Sequence, residues 1–339
     1  MTTSFFGDSP ESTSIVNIGH GDPTVFRAWW IKNNLLPFVF TKDPAMYEYQ
    51  EDEHSELVRL THSFHRLFGT DCGDASIVYG NGSTQIINAI LYTLSRKLGR
   101  CIVVGYKTPV YMLMHEFLSH CTWVKVTFDL TRSDIDVEIV IDPNNPSGDQ
   151  RKKLSQAPYT IYDKAYNWPI YVDSVTPTSS AASDITVYTI SKCLGMGGLR
   201  LGWAFINDIE LSYAVKRSLY LIGICPNSFG MEAAKSVFEK FLCDPALLQS
   251  YVEDISETIE MRRKSIKDNP HFTVTNTSGP YAWIKSKNGE NIRSLLLDKF
   301  GIEVYSGSEF GDTDDHARMS LICSNEEFSQ AIERLQNTG

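Results

Sequence analysis

Thr189-Ile190-Ser191-Lys192 closes an apolar, β-branched run, and Gly195, Gly198, Arg200 and Gly202 follow it. A lysine directly after a buried strand is costly unless its charge is paired or its pKa lowered, and a neutral amine there is what Schiff-base chemistry requires. Taken alone, the Ser-Lys pair reads as a lysine exposed at a strand end. Arg200, in a glycine-rich turn just downstream, changes the balance: a small ligand held by Lys192 would have its phosphate gripped by the arginine fork and the Thr189 hydroxyl. A dinucleotide loop fails on spacing, because GxGxxG counted from Gly195 puts Arg200 at the third glycine, after a late strand.

Other strand ends carry compatible chemistry. In Asp163-Lys164-Ala165-Tyr166 an acid ends an apolar strand. It is either a helix cap or the partner of a pyridinium nitrogen, which pyridoxal phosphate chemistry calls for. Tyr166 would then lie near the ring's phenolic oxygen, and Asn145, in the turn Asn144-Asn145-Pro146-Ser147-Gly148, could donate its amide to the same atom. Gly80-Asn81-Gly82-Ser83-Thr84-Gln85 joins a strand to an amphipathic helix, so its N–H groups suit an anion, although a capping serine explains it as well. Tyr111, ending Thr108-Pro109-Val110-Tyr111, could stack on a planar ring or pack in the core. His62 and His65 have the spacing of a metal pair, yet a solvated helix face is the expected reading and no metal site is expected.

These loops need a scaffold that brings strand ends together. From about Ala75, short β-branched runs alternate with helical patterns, which predicts an α/β fold with a mainly parallel sheet. The predicted strands are Ser76–Tyr79, Cys101–Gly105, Trp123–Phe128, Val137–Ile141, Tyr159–Tyr162, Ile185–Ile190 and Gly202–Ile206, with a helix at Thr84–Leu98. In open α/β sheets the ligand sits at the carboxyl ends of strands, where the loops above lie. Residues 207–267 read as helical, and 270–339 mix strands with helices. The expected division is a large domain over 41–235 and a small α+β lobe from both termini, 1–40 and 236–339.

Composition narrows the ligand. A formal charge of −10 disfavours nucleic acid, which needs a basic face. The 7 cysteines are odd in number and form no CxxC pair, which fits neither a disulfide framework nor a zinc ribbon. No segment has the apolar length of a membrane span, and the N-terminal residues lack a basic, apolar leader. A cytoplasmic protein with no membrane partner is expected.

The order GSTQ, TPVY, NNPSG, DKAY and SK-x-x-G-x-x-G-x-R-x-GWA resembles the fold-type-I pyridoxal-phosphate enzymes, in the branch holding alliinase and the plant tryptophan aminotransferases. The branch-level likeness rests on His20-Gly21-Asp22-Pro23-Thr24, on Tyr162 through Pro169, on Ser191 through Ala204, on Tyr281-Ala282-Trp283 and on Arg318-Met319-Ser320-Leu321. It implies the fold-type-I transferase fold, a seven-stranded sheet and pyridoxal 5′-phosphate as cofactor. Lys192 would form the Schiff base, Asp163 face the pyridine nitrogen, Tyr166 and Asn145 bond the phenolic oxygen, and Tyr111 stack on the ring. Ser83, Thr84, Gln85, Thr189 and Arg200 would hold the cofactor at its phosphate end. Arg318, with Gly21 and Asn145 beside it, would bind the substrate carboxylate. A tyrosine from a partner subunit reaches the phosphate in such enzymes; Tyr49 is the candidate and Tyr47 the second, which implies a homodimer.

The resemblance implies an aminotransferase passing an amino group from an L-amino acid to a 2-oxo acid such as pyruvate. The alternatives are β-elimination from S-substituted cysteine and a non-catalytic binding protein. Two departures stand out: Leu194, Met196 and Leu199 replace the threonine, histidine and serine usual in plant members, and Asn167 replaces a tyrosine. The cysteine-rich module that opens plant alliinases has no match, which favours transamination. Phe26, Trp29, Trp30, Tyr47 and Trp168 suggest an aromatic substrate.

Overall fold

The computed structural model describes residues 15–35, 55–71 and 73–336. In chain order the strands are β1 (Val16–Asn17), β2 (Ser76–Gly80), β3 (Ile102–Gly105), β4 (Val124–Thr127), β5 (Val137–Ile141), β6 (Tyr159–Asp163), β7 (Asp184–Thr189), β8 (Gly202–Ile206), β9 (Phe272–Val274), β10 (Tyr281–Ser286), β11 (Ile302–Glu303), β12 (Tyr305–Ser306) and β13 (His316–Ser320). The large sheet has 7 strands in the order β2-β8-β7-β6-β5-β3-β4. Only β8 runs against its neighbours, so the ends of β2, β3, β5, β6 and β7 share one edge.

Burial explains why these segments became strands. β5 is buried at every position, the continuous apolar run that a parallel strand covered on both faces requires. Its one acid, Glu138, accepts the Leu154 and Ser155 N–H groups at 2.9 and 2.6 Å. The helix Ser83–Leu98 presses Ile86, Ile87, Ile90, Leu91 and Leu94 into one core and stops at Gly99 in the left-handed region. β7 ends at Thr189, one residue before the predicted limit, because Ile190 already begins a one-turn helix, Ile190–Cys193.

Both ends of the described chain build the small lobe. β1 pairs in parallel with β11, and β12-β13-β10-β9 form an antiparallel sheet. The helix Val25–Lys32 sets Trp29 and Trp30 against Tyr251 of the helix Pro245–Ile266, with ring centroids 4.9 and 5.4 Å apart. The expected boundary at 235 falls inside a continuous helix, Ser228–Cys243. Phe238 of that helix stacks at 4.3 Å on Phe64 of the helix Ser55–Leu67, which ties it to the large sheet's cover.

His65 departs from the sequence reading, since it is fully buried rather than on a solvated face. Tyr188, Phe205 and Trp168 surround it at 4.5, 4.8 and 5.4 Å. Its Nε2 accepts the Trp203 indole N–H at 3.0 Å, and its Nδ1 lies 2.8 Å from the Thr70 hydroxyl, which itself donates to the His65 carbonyl. The bonding therefore assigns the ring proton to Nδ1. Burial lowers its pKa to about 3. His62 pairs with Asp71 at 2.7 Å, so the two imidazoles face different partners.

Candidate active site

A cavity of about 320 Å³ opens where the sheet edge meets the small lobe. Its floor comes from the ends of β6 and β7, one wall from Gly21 in the N-terminal segment, and another from Tyr281, Tyr305 and Arg318 of the lobe.

One end is built for an anion. The helix Ser83–Leu98 has no side-chain cap, which leaves its first N–H groups to a ligand. Gly82 precedes it at φ 93°, and a Cβ there would stand 2.4 Å from Arg200 Nη2, so glycine alone lets that guanidinium cross the loop. Arg200 donates to the Gly197 and Asn81 carbonyls at 2.9 and 3.3 Å. Ser83, Thr84, Thr189 and Ser191 line the same end. Thr189 caps the Ile190–Cys193 turn through the Ser191 N–H at 3.2 Å, which fixes the turn that presents Lys192. Gln85 is placed differently: its Oε1 accepts the Asn81 N–H at 2.6 Å, and it is not part of the cavity lining.

The centre holds the proton-handling groups. Lys192 Nζ donates to the Gly21 carbonyl at 2.6 Å and stands 5.9 Å from the centre of the Tyr166 ring. Asp163, the last residue of β6, accepts the Ala165 N–H at 3.1 Å. Burial raises its pKa to about 6, against the opposing pull of that N–H and of Lys192. The Tyr166 hydroxyl lies 2.9 Å from that of Tyr281 and 3.4 Å from the Asn145 amide nitrogen. Tyr111, heading the helix Met112–His120, forms the facing wall, and burial pushes its phenol up to about 12.

At the far end Arg318 is 2 % exposed and has no acidic partner within 4.0 Å among the described residues. Its Nη1 donates to Asn145 Oδ1 at 3.0 Å and its Nη2 to the Gly19 carbonyl at 2.9 Å, while Nε has no partner. The rings of Tyr281, Phe310 and Tyr305 surround it at 4.2, 5.0 and 5.1 Å. A buried guanidinium without a carboxylate is a receptor for one.

The family model described as Allinase matches residues 16–232, and the one for aminotransferase class I and II matches residues 143–335. The chain belongs to the alliinase family. Tryptophan aminotransferase-related protein 2 of Arabidopsis thaliana is 27% identical to it, over 96% of this chain and 81% of the relative. Alliin lyase of Allium cepa var. aggregatum is 26% identical over 82% of the chain and 70% of the relative. An aspartate aminotransferase double mutant of Thermus thermophilus superposes with a TM-score of 0.75 at 17% identity, covering 95% of this chain and 91% of that one. An aromatic aminotransferase of Pyrococcus horikoshii superposes with a TM-score of 0.71 at 20% identity, covering 95% and 94%. The two structures establish the fold, which is the fold-type-I α/β architecture.

The aminotransferase class is pyridoxal-phosphate-dependent, and the residues of this alliinase-family chain fit that cofactor. An uncapped helix start with Arg200 suits its phosphate, and a buried carboxylate that burial drives toward neutrality suits a cationic ring nitrogen. The cavity brings together Ser83, Thr84, Tyr111, Asn145, Asp163, Tyr166, Thr189, Lys192, Arg200, Arg318 and Gly21. Tyr47 and Tyr49 lie outside the described residues. Phe26, Trp29, Trp30 and Trp168 are core residues away from the cavity; the Trp30 indole, for example, donates to the Leu194 carbonyl at 2.9 Å. Ser191, Tyr281 and Tyr305 line the cavity without having been singled out as site residues. Tyr281 and Arg318 meet through the β10–β13 register, which no local pattern reveals.

Proposed function

We propose that this alliinase-family chain is a pyridoxal-phosphate-dependent aminotransferase acting on an L-amino acid, with an aromatic, tryptophan-like side chain as the favoured substrate. The observation that carries the reading is a cavity in which one lysine, one buried acid and two arginines converge, its other acid, Asp22, being exposed. Two arginines suit two anionic groups, a cofactor phosphate and a substrate carboxylate. The tryptophan aminotransferase-related relatives support the substrate choice.

When bound, pyridoxal phosphate supplies a ring that accepts the electrons left at the substrate Cα. Ser83, Thr84, Thr189 and Arg200 would anchor its phosphate. Asp163 would face the pyridine nitrogen and favour its protonated form, and Tyr166 and Asn145 would serve the phenolic oxygen. Arg318 orients the substrate carboxylate so that its Cα–H bond faces Lys192. Lys192 would be the base that takes the substrate's Cα proton and carries it within the site. Tyr111, on the facing wall, would cover the ring and keep water off the reacting atoms. A 2-oxo acid such as pyruvate then receives the amino group through the same residues in reverse. We further propose a homodimer in the cytoplasm, supported by the family likeness and by six described cysteines that are all free thiols.

The alliin lyase relatives carry a second reading, elimination from an S-substituted cysteine, which uses the same lysine and arginine. Incubation with L-tryptophan and pyruvate should yield the keto acid and alanine in equal amounts. With Lys192→Ala the rate should fall by a factor on the order of 10³ or more. Pyruvate released from an S-alkyl cysteine sulfoxide without any acceptor would replace transamination by elimination.

A further inference from the structure

We propose that Tyr281 is a positioning residue for Tyr166: its hydroxyl donates to the Tyr166 oxygen and leaves the Tyr166 proton free for the cofactor's phenolic oxygen. The proposal rests on the pyridoxal-phosphate reading above and concerns a side chain to which that reading gives no role.

The geometry is specific. Tyr281 begins β10, opposite Ser320, and is 1% exposed. Its ring stands edge-on to that of Tyr166, with centroids 5.8 Å apart and planes at 76°, and the two hydroxyls are 2.9 Å apart. The Arg318 guanidinium covers its ring at 4.2 Å. Gly21 leaves room for the hydroxyl, because a Cβ there would lie 2.8 Å from it and 3.7 Å from Lys192 Nζ.

Hydrogen-bond accounting accommodates that direction. A tyrosine hydroxyl has one proton and two acceptor positions. Asn145 turns its amide nitrogen to the Tyr166 oxygen at 3.4 Å, an orientation fixed because its Oδ1 accepts Arg318 Nη1 at 3.0 Å. With Tyr281 as the second donor, both acceptor positions of Tyr166 fill and its proton is left for the cavity. The charges favour the same order. Burial raises the Tyr281 phenol, but the Lys192 and Arg318 charges pull against it, and the phenol lies below its usual value. Burial first, and then Tyr281, hold Tyr166 well above that value. The more acidic phenol is the better donor, and a hydroxyl that accepts one bond donates a stronger one. The titratable groups around the pair are Lys192 beyond β7, Arg318 on β13, Tyr111 beyond β3 and Tyr171 beyond β6.

The readout is the visible absorbance of the holoprotein against pH. Its midpoint reports loss of the proton held between the Lys192 nitrogen and the cofactor's phenolic oxygen. A bond donated to that oxygen stabilises the charge left behind, so a weaker bond raises the midpoint. Tyr281→Phe keeps the ring on Arg318 and removes only the hydroxyl; it should raise the midpoint by roughly 0.5 to 1 pH unit. Tyr166→Phe should raise it further, and Tyr281→Phe should add nothing in that background. Benzoate, a carboxylate probe for Arg318, should bind Tyr281→Phe within about twofold of the parent protein, since no donor of the guanidinium is lost. A parent protein whose midpoint ignores Tyr281→Phe, or a shift that persists without the Tyr166 hydroxyl, overturns this role alone. A parent protein that takes up no cofactor and shows no visible band overturns the pyridoxal-phosphate reading and this role with it.

Discussion

Asp163 and His65 are both buried titratable side chains, and both are perturbed chiefly by burial. Their surroundings differ in one respect that separates function from structure. His65 has both ring nitrogens occupied, by Trp203 and Thr70, within a closed shell of aromatic rings. Asp163 is held by a single backbone N–H and lines a cavity that also contains Lys192 and Arg318. A shifted pKa marks a burial cost in both places; only unused hydrogen-bonding capacity facing open space marks a site.

Substitution should separate the two residues clearly. Asp163→Asn keeps an acceptor for Ala165 but cannot hold a proton on a ring nitrogen by charge, so kcat should fall by a factor on the order of 10² to 10⁴. Its effect on the cofactor-free fold runs the other way. The folded-state pKa of about 6 lies above the 3.8 of a free carboxyl, so the stability this group contributes is present below pH 4 and lost as pH rises through 6. The cofactor-free variant should therefore be more stable than the parent at pH 7 by roughly 1–3 kcal/mol, a gap closing by pH 4 in urea titrations.

His65→Phe should do the reverse. It strands the Trp203 indole N–H and removes the donor to the Thr70 hydroxyl, which keeps its bond to the residue-65 carbonyl, costing about 1–3 kcal/mol at pH 7, with turnover per folded molecule unchanged within about twofold. Here the folded-state pKa of about 3 lies below the ordinary 6.5, so the contribution is present above pH 6.5 and is lost as pH falls toward 3. Melting curves of the variant should flatten across that window; an equal acid slope in both proteins would put the sensitivity elsewhere. The smallest effect belongs to Gln85→Ala, which frees the Asn81 N–H and should cost about 1 kcal/mol in thermal unfolding. Cofactor affinity measured by fluorescence should stay within about twofold. A tenfold loss would return Gln85 to the phosphate end.

The sheet and most of the site were legible because both obey local rules. β5 and β6 are short apolar runs, and ligands gather where parallel strands end, so Asp163, Lys192 and Asn145 announce themselves by position. The aromatic residues near Gly21 were misread, because a tryptophan looks alike in sequence whether it seals a core, as Trp29 and Trp30 do against Tyr251, or faces a ligand. His65 was misread for the same reason: amphipathic spacing says which face is apolar, not that an imidazole can be buried there with both nitrogens engaged. Tyr281 needed the strand register, a property of two segments at once.

The cavity's polar contacts join residues far apart in the chain. Lys192 reaches back 171 positions to Gly21, and Arg318 reaches back 299 positions to Gly19. A ribosome delivers the lysine, the acid and the phosphate loop long before the strand carrying Arg318, so the sheet can form while the pocket still lacks its lid. Affinity for substrate is thus the last property the nascent chain acquires, and a protein cut short before β13 would lose both the guanidinium that grips a carboxylate and the strand that joins β12 to β10.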